Sequence, residues 1–349
     1  MIELKEYFLQ SLCHIQGNKS EVFTDCITLG GRIARLTTYS NNLRDVFFPS
    51  LMHLKIQDSE QADMQLYYVS DQDLEYPLIA PNWGNVEFNA QGYAAELDQE
   101  DIGVYFQPWL RQIFLYSYTD KIGIYWVKDV EEIPWWEPTF SFRAIFHMWT
   151  RDTYLQLMHA GAIASNDRKA FLFPAQSGSG KSTTTCTLFE EGYHYLGDDY
   201  ILVDTDRNIV YKLYGTTKME WDNLESRFPH LLSATINSQV RPNQKGILYL
   251  GAQNSSIISN TIHAVIVPIL GSSDSGFSRS TVPNSIMAVA PTTLHHLPHH
   301  RNESYKKIKK LLSKTPNFIW RLPKDKKHII QQFHTFQNES IGECYNTDV

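Results

Sequence analysis

A Gly- and Ser-rich segment near the middle of the chain carries residue types suited to binding phosphate. The segment AQSGSGKS spans residues 175–182, between an apolar run at 170–173 and a Thr-rich stretch. Glycines let backbone N–H groups converge on phosphate oxygens, and the N-terminus of a following helix adds the positive end of its dipole. Lys181 can reach the terminal phosphates of a nucleotide, and the Ser182 hydroxyl can bind Mg²⁺. The pattern predicts a strand, a phosphate-binding loop and a helix.

The predicted contacts to a nucleotide come from the loop and the first helical turn. They are Gln176, Ser177, Gly178, Ser179, Gly180, Lys181, Ser182 and Thr183. Ala175 stands where such loops usually have glycine, so the backbone there must keep an ordinary negative φ. An ordinary Gly/Ser turn is the alternative, because Gly-Lys-Ser alone is a common sequence. The strand before it and the helix after it favour a nucleotide site, with ATP and Mg²⁺ as the expected cofactors.

Two adjacent carboxylates follow the predicted helix. Asp198 and Asp199 come after Gly197 and precede the apolar residues 200–203. Phosphoryl transfer requires one carboxylate near Mg²⁺ and one that accepts a hydroxyl proton. We therefore predict that Asp198 and Ser182 bind the metal and that Asp199 is the base. A solvent-exposed turn with two aspartates is the alternative.

Histidines and lysines supply further candidates. His159 lies on an apolar segment just before the loop strand and is either a core histidine or part of the same site. Lys212 and Lys218 flank Gly215, where cations would favour an anionic acceptor. A second group of histidines lies near the C-terminus, at His295, His296, His299 and His300. No acidic residue or cysteine is near that group in the sequence, which argues against a metal site there.

Composition limits the classes of function. The chain has 349 residues, with 42% hydrophobic and 20% charged residues, as in ordinary globular proteins. The net charge of −7 argues against nucleic-acid binding. Scattered cysteines without a CxxC motif fit a reducing compartment, and neither a signal peptide nor an apolar run of membrane-spanning length is present. We expect a cytoplasmic protein without a membrane partner; the sequence leaves its oligomeric state open and allows a homo-oligomer.

The patterning along the chain predicts two domains. The predicted strands of the first half carry β-branched and aromatic residues between turn signals, and span 27–36, 64–69, 103–106, 113–118 and 122–127. We expect the aromatic residues there to be core packing. The prediction is a β-rich domain over 1–138, an α/β domain over 139–337 that begins with a helix packed on it, and a polar tail over 338–349.

Residues 157–204 resemble the nucleotide domain of HPr kinase/phosphorylase, whose P-loop fold is related to that of phosphoenolpyruvate carboxykinase. The resemblance is carried by the strand with His159, the loop AQSGSGKS, and the aspartate pair 17 and 18 residues after Lys181. It implies that His159, Lys181 and Asp199 match the active-site histidine, lysine and base of the family, and that Ser182 matches its Mg²⁺ ligand. The segments HAGA, GDDY and LYGTTKM look closer still to the HPr kinase-like peptide-tailoring kinases, including those of lasso peptides.

The resemblance implies an ATP-dependent kinase that phosphorylates a serine hydroxyl of a peptide or protein, with the C-terminal serine of a lasso-type precursor peptide as one candidate. The RGLG signature linked to the phosphorylase reaction is absent, and LYGTTKM stands in its place, which argues against the reverse activity. Lys218 and Arg241 are candidate contacts to the substrate or the transition state. The alternatives are a kinase of a free small molecule such as an amino acid, and a nucleotide-binding sensor without catalysis, which would not need both aspartates.

Overall fold

The chain forms two compact units in a computed structural model, which describes residues 3–59, 61–84, 86–176, 178–237, 244–251, 258–271 and 274–343. The first unit comprises Met1–Leu157 and Leu294–Ser304, and the second comprises Met158–Thr293 and Tyr305–Val349. The architecture is mixed α/β with a β-rich first unit, as predicted. No helix in the described ranges combines the length and the apolarity needed to cross a membrane.

The first 158 residues form three α-helices, eight strands and several short 3-10 helices within the described ranges. In chain order the α-helices and strands are α1 (Leu4–Gln16), β1 (Phe23–Leu29), β2 (Arg32–Thr38), α2 (Asn41–Phe47), β3 (Lys55–Ile56), β4 (Met64–Ser70), β5 (Ile102–Gln107), β6 (Gln112–Ser117), β7 (Ile122–Val127), α3 (Arg143–Thr150) and β8 (Leu155–Met158). One sheet has the order β3-β1-β2-β4-β7-β6-β5. Strand β4 is parallel to both β2 and β7, and the other neighbours are antiparallel. The predicted strand 27–36 is in fact part of a hairpin, because residues 30–31 form the turn between β1 and β2.

The aromatic residues of the first unit pack on both faces of its sheet. Trp126 faces a core that includes Tyr7 and Phe8 of α1, whereas Tyr125, its neighbour on the strand, meets Phe47 with ring centroids 5.1 Å apart. Successive side chains of a strand point to opposite faces, so these are two separate layers. Core packing is thereby confirmed for most of the aromatics; Tyr76, Trp109 and Trp136 are exceptions, at 65%, 53% and 39% exposed.

The boundary between the units differs from the predicted one at residue 138. Helix α3 contacts β6 and β7 of the first unit. A Cβ atom built on Gly123 of β7 would lie 2.7 Å from Cγ2 of Ile145, so glycine is what allows the helix to approach the strand this closely. The helix therefore belongs to the first unit, and the prediction that it packs on the nucleotide domain is wrong.

The remaining elements follow from residue 160. They are β9 (Ala160–Ala164), β10 (Lys169–Pro174), α4 (Lys181–Glu190), β11 (His194–Gly197), β12 (Ile201–Asp204), β13 (Ile209–Tyr211), β14 (Thr216–Met219), α5 (Trp221–Arg227), β15 (Gly246–Tyr249), β16 (Ser259–Ile269), β17 (Gly276–Arg279), α6 (Val282–Thr293), α7 (Arg301–Lys314), β18 (Asn317–Arg321) and α8 (Lys326–Glu343). Helix α8 continues through residues 338–343, so the predicted polar tail is helical over that part.

The sheet of the second unit runs β11-β9-β10-β16-β13-β12, and β18 joins it beside β16. Strands β10, β16 and β18 are parallel, and the near-continuous apolar runs of β10 and β16 fit strands that are buried on both faces. Phe171 and Phe173 of β10 pack with Trp320 and with Phe333 of α8. Strands β14 and β15 form a separate antiparallel pair. This core fixes the end of β10, from which the predicted phosphate-binding loop departs.

Candidate active site

The loop between β10 and α4 has the backbone that a phosphate-binding loop requires. Ala175 keeps a negative φ, as expected for a non-glycine residue, while Gly178 and Gly180 have φ of 81° and 94°. Gly180 is also the N-cap of α4, and a Cβ atom there would lie 2.8 Å from Cδ1 of Leu322. The free N–H groups of the first helical turn therefore face the loop. The predicted contact Ser177 lies outside the described residues.

The side chains of the loop region differ in exposure and in their contacts. Gln176 is exposed and Thr183 is half-buried. The buried hydroxyl oxygen of Ser179 has no hydrogen-bond partner in the described part of the chain. The ammonium group of Lys181 is buried and donates hydrogen bonds to the carbonyl oxygens of Ala175 and, over 3.0 Å, of Gln176. Burial lowers the pKa of Lys181, and attraction to the aspartate pair opposes that shift.

Asp198 is buried behind the start of α4 and is surrounded by hydroxyl groups. It is 2% exposed. Thr217 of β14 donates to its Oδ2 over 2.6 Å, and Thr185 of α4 lies 3.3 Å from its Oδ1. The Ser182 side chain lies near enough to lower the pKa of Asp198. Burial and the charge of Asp199 raise the pKa of Asp198, against these hydrogen bonds.

Asp199 faces two basic side chains instead. Its Oδ2 lies 2.7 Å from Nζ of Lys218, and its Oδ1 lies 3.8 Å from Nε2 of His159, which is longer than a hydrogen bond. Burial acts to raise the pKa of this carboxyl, but Lys218 and His159 outweigh it and hold the pKa well below its usual range. The two neighbouring carboxylates therefore differ, and Asp199 is the one held as an anion.

His159 occupies the break between β8 and β9, so the predicted continuous strand over 157–164 is interrupted at the histidine. Its backbone N–H donates to the Thr293 hydroxyl over 3.0 Å, and its ring packs on Tyr200 with centroids 5.2 Å apart. Burial, with repulsion by Lys181 and Lys218, lowers the pKa of His159 despite the nearby Asp199 carboxylate. The ring is accordingly neutral near pH 7 and lies within the cluster of charged groups.

The oxygen atoms of Ser182 and Asp198 fit a Mg²⁺ ion. Both are hard donors, and both lie at the start of α4, where Thr185 of that helix contacts Asp198 and Ser182 lowers the pKa of Asp198. Mg²⁺ usually retains several waters and binds substrate phosphates, so one or two protein ligands suffice. Within the described ranges, no group of three or more His, Cys, Asp or Glu side chains could hold a metal ion, and a site of this kind does not need one.

The two lysines expected to favour an anionic acceptor both contact groups of the protein. Lys218 lies in the site, where it pairs with the Asp199 carboxylate. The ammonium group of Lys212 is buried and donates to the carbonyl of Gly251 over 2.9 Å, and burial lowers the pKa of Lys212 to about 8. Lys212 is therefore tied to the backbone and does not present a charge to an acceptor. Arg241 lies outside the described residues.

Sequence reasoning missed the residues that support the carboxylates. Thr185 and Thr217 bond to Asp198 from two different elements. Gly161 of β9 permits this packing, because a Cβ atom there would lie 2.7 Å from Cγ2 of Thr185. The signals were the Thr-rich start of α4 and the Thr-Thr-Lys segment of β14, but a threonine shows its partner only once the fold is known.

The C-terminal histidines belong to the first unit, and two of them, His299 and His300, lie in a packed network. Nδ1 of His299 lies 2.9 Å from Oδ1 of Asp98 and its Nε2 lies 2.8 Å from the Val104 carbonyl. Nε2 of His300 lies 2.8 Å from the Tyr118 hydroxyl. The acidic partner that the sequence lacked nearby thus comes from far along the chain. Since these ring nitrogens contact protein groups, the contacts join segments of the first unit that are far apart in the sequence.

Comparison with known proteins adds little to this geometry. No family model matches the chain, and no curated protein matches it. Among solved structures, the Hpr(Ser) kinase/phosphatase from Coxiella burnetii is similar over 53% of this chain and 98% of that chain, with 11% sequence identity and a TM-score of 0.30. A likeness this weak carries no argument about the fold or the activity, which must come from the residues themselves.

Proposed function

We propose that the second unit transfers the γ-phosphoryl group of ATP to a hydroxyl group, and that the acceptor is a serine of a peptide or protein. One observation carries the proposal. Asp199, half-buried and held as an anion between Lys218 and His159, lies beside a loop with phosphate-binding geometry. A protein that only bound a nucleotide would gain nothing from a second, differently held carboxylate next to Asp198.

Each residue has a chemical role in this proposal. Asp199 accepts the proton of the acceptor hydroxyl. As the hydroxyl oxygen forms a bond to the γ-phosphorus, the bond between that phosphorus and the bridging oxygen of the β-phosphate breaks, and ADP is released. The transition state is loose, so the position of the carboxylate matters more than its basicity. Lys181 turns from the loop carbonyls to the phosphates, and His159 keeps Asp199 in place. Ser182 and Asp198 would hold Mg²⁺, which neutralises charge on the phosphates.

The sequence supports transfer in one direction. The phosphorylase-linked RGLG signature is absent, and its place is taken by a segment in which Lys218 contacts Asp199. The serine acceptor itself rests on the resemblance to HPr kinase-like proteins. A serine beside its own terminal carboxylate would suit Lys218, the described cation nearest to Asp199, whereas Lys212 is unsuited because it bonds to the backbone.

Transfer of labelled phosphate is the direct test. The full chain is incubated with γ-labelled ATP, Mg²⁺ and serine peptides that end in a free or an amidated carboxyl group, alongside free serine. We expect label on peptide serine, preference for the free carboxylate, and loss of transfer in Lys181→Ala. Label on free serine alone would move the acceptor to a small molecule. Binding of ATP without transfer to any acceptor, or efficient dephosphorylation by added phosphate, would contradict the proposal.

A further inference from the structure

Strand β14 supplies one donor to each of the two carboxylates. Thr217 donates to Oδ2 of Asp198 over 2.6 Å, and the next residue, Lys218, lies 2.7 Å from Oδ2 of Asp199. The two donors differ in charge. A neutral hydroxyl leaves the charge of its carboxylate available to a metal, whereas an ammonium group competes with a divalent cation for the same oxygens. The strand therefore distinguishes two carboxylates that are adjacent in the sequence.

The position of Thr217 is fixed by its surroundings. Its side chain is 1% exposed, so water cannot replace the hydroxyl. The preceding carbonyl, of Thr216, accepts a hydrogen bond from the buried Tyr195 hydroxyl over 2.7 Å. The carbonyl of Gly215 accepts two more, from the backbone N–H groups of residues 250 and 251. These hydrogen bonds fix the start of β14 and, with it, the position of the Thr217 hydroxyl. A side chain that orients another side chain must be fixed in this way.

The neighbours of Asp198 differ in how independently each can orient its carboxylate. Ser182 is both a partner of Asp198 and a candidate metal ligand, so it cannot serve as an independent support. Thr185 lies 3.3 Å from Oδ1 of Asp198 but is also 3.1 Å from the carbonyls of Lys181 and Ser182, between which its single proton must be shared. Of the two threonines, Thr217 makes the shorter bond and approaches from a different element. The orientation of Asp198 therefore depends most on Thr217.

We propose that Thr217 is a positioning residue that holds the Asp198 carboxylate in the orientation in which it binds Mg²⁺ together with Ser182. This inference rests on the proposed nucleotide function, because the metal arrives with the nucleotide. Partners of metal ligands commonly set ligand orientation, and their loss typically lowers metal affinity about 10–100-fold. Thr217 itself touches neither metal nor phosphate in this proposal.

The test measures nucleotide binding rather than turnover. A fluorescent ADP analogue is titrated into the full chain in EDTA and then at increasing Mg²⁺ concentrations. We expect Thr217→Val, which removes the hydroxyl at nearly constant volume, to raise the half-saturating Mg²⁺ concentration about 10–100-fold. Affinity in EDTA should be unchanged, and Thr217→Ser should restore the wild-type Mg²⁺ dependence.

A matched control is available on α4. Thr187 is also fully buried, and its hydroxyl has no hydrogen-bond partner in the described part of the chain. Thr187→Val makes the same chemical change in the same core and should leave the Mg²⁺ dependence at the wild-type value. Thermal unfolding is recorded for every variant. If the valine at 217 prevents folding, Thr217→Ala removes the hydroxyl without placing a methyl group against the carboxylate and should give the same shift.

The outcomes separate this inference from the proposed function. A folded Thr217→Val or Thr217→Ala protein with wild-type Mg²⁺ dependence would overturn the positioning role and leave the nucleotide site standing. An equal shift in Thr187→Val would also overturn it, since core packing would then be the cause. Nucleotide binding by the wild type without any Mg²⁺ dependence would remove the metal assignment of Asp198 together with this inference. No nucleotide binding at all would remove the proposed function.

Discussion

Each unit of the protein places a histidine beside a partly exposed aspartate, but the two pairs are built differently. In the first unit, Nδ1 of His299 lies 2.9 Å from Asp98 and its other nitrogen lies 2.8 Å from a backbone carbonyl. In the second unit, Nε2 of His159 lies 3.8 Å from Asp199, which bonds more closely to Lys218. The first histidine has both nitrogens placed to donate, whereas the second makes only a long contact with its carboxylate.

The difference separates a structural pair from a chemical one. Asp98 is also bonded by the Tyr93 hydroxyl over 2.9 Å, so its contacts fix a segment of the fold. Asp199 contacts the side chains of Lys218 and His159 at its two oxygens, which are the atoms that an acceptor hydroxyl would have to reach. Substitution in the first pair should therefore cost stability, and substitution in the second should cost turnover.

The largest effect is expected from Asp199→Asn. The amide keeps the size of the carboxylate but cannot accept the hydroxyl proton, so turnover should fall about 10²- to 10⁴-fold. Nucleotide affinity should be retained, because Asp198 and the loop are unchanged. The measurements are initial rates with labelled ATP and binding of a fluorescent nucleotide.

Asp206→Asn is the matched control for that substitution. Asp206 is a largely exposed aspartate paired with Lys310 at the surface, and its neutralisation should leave the rate unchanged. A rate in Asp199→Asn near that of Asp206→Asn would refute the base assignment and leave the two histidine–aspartate pairs equivalent.

A smaller effect on turnover is expected from Lys218→Met. Loss of a hydrogen bond to a charged group is worth about 1.5–3 kcal/mol, which corresponds to roughly 10- to 150-fold in rate if it falls entirely on the transition state. Lys218→Arg keeps the charge and should lose less. The kcat and KM values for the best acceptor peptide distinguish two roles for Lys218. A change confined to KM would make Lys218 an acceptor contact, and a change confined to kcat would make it a support for Asp199.

The sequence predicted the loop, the aspartate pair and His159 because each depends on local order along the chain. The glycines at 178 and 180, the lysine after them and the spacing to Asp198 are visible without a fold. The supports of the carboxylates could not be predicted in this way. Thr217 reaches Asp198, and Asp98 reaches His299, only because segments distant in the sequence are brought together within each unit. The first-domain boundary failed for the same reason, since α3 packs on strands that precede it.

The smallest expected change, in stability rather than rate, is in Asp98→Asn. The amide keeps the shape but removes the charge opposite His299. About 1.5 kcal/mol of unfolding free energy should be lost near pH 7, at the lower end of the range for charged hydrogen bonds because the Asp98 side chain is 32% exposed. Tryptophan fluorescence in denaturant reports mainly on the first unit, which contains Trp83, Trp109, Trp126, Trp135, Trp136 and Trp149. Asp101→Asn, which affects an exposed pair with Lys5, is the control and should change little.

The pH dependence of the stability lost in Asp98→Asn tests whether the Asp98 carboxylate is the cause. Burial acts to raise the pKa of Asp98, but the hydrogen bond and charge of His299, the Tyr93 hydroxyl and the nearby His300 outweigh it, so the folded pKa lies below the unfolded one. A depressed carboxyl pKa contributes stability that is complete above the unfolded value, about 4, and is lost as the pH falls through the folded value. The stability gap between wild type and Asp98→Asn should therefore stay constant from pH 7 to about pH 4 and close below it. A gap that closes well above pH 4, or one that widens on acidification, would assign the stabilisation to a group other than the Asp98 carboxylate.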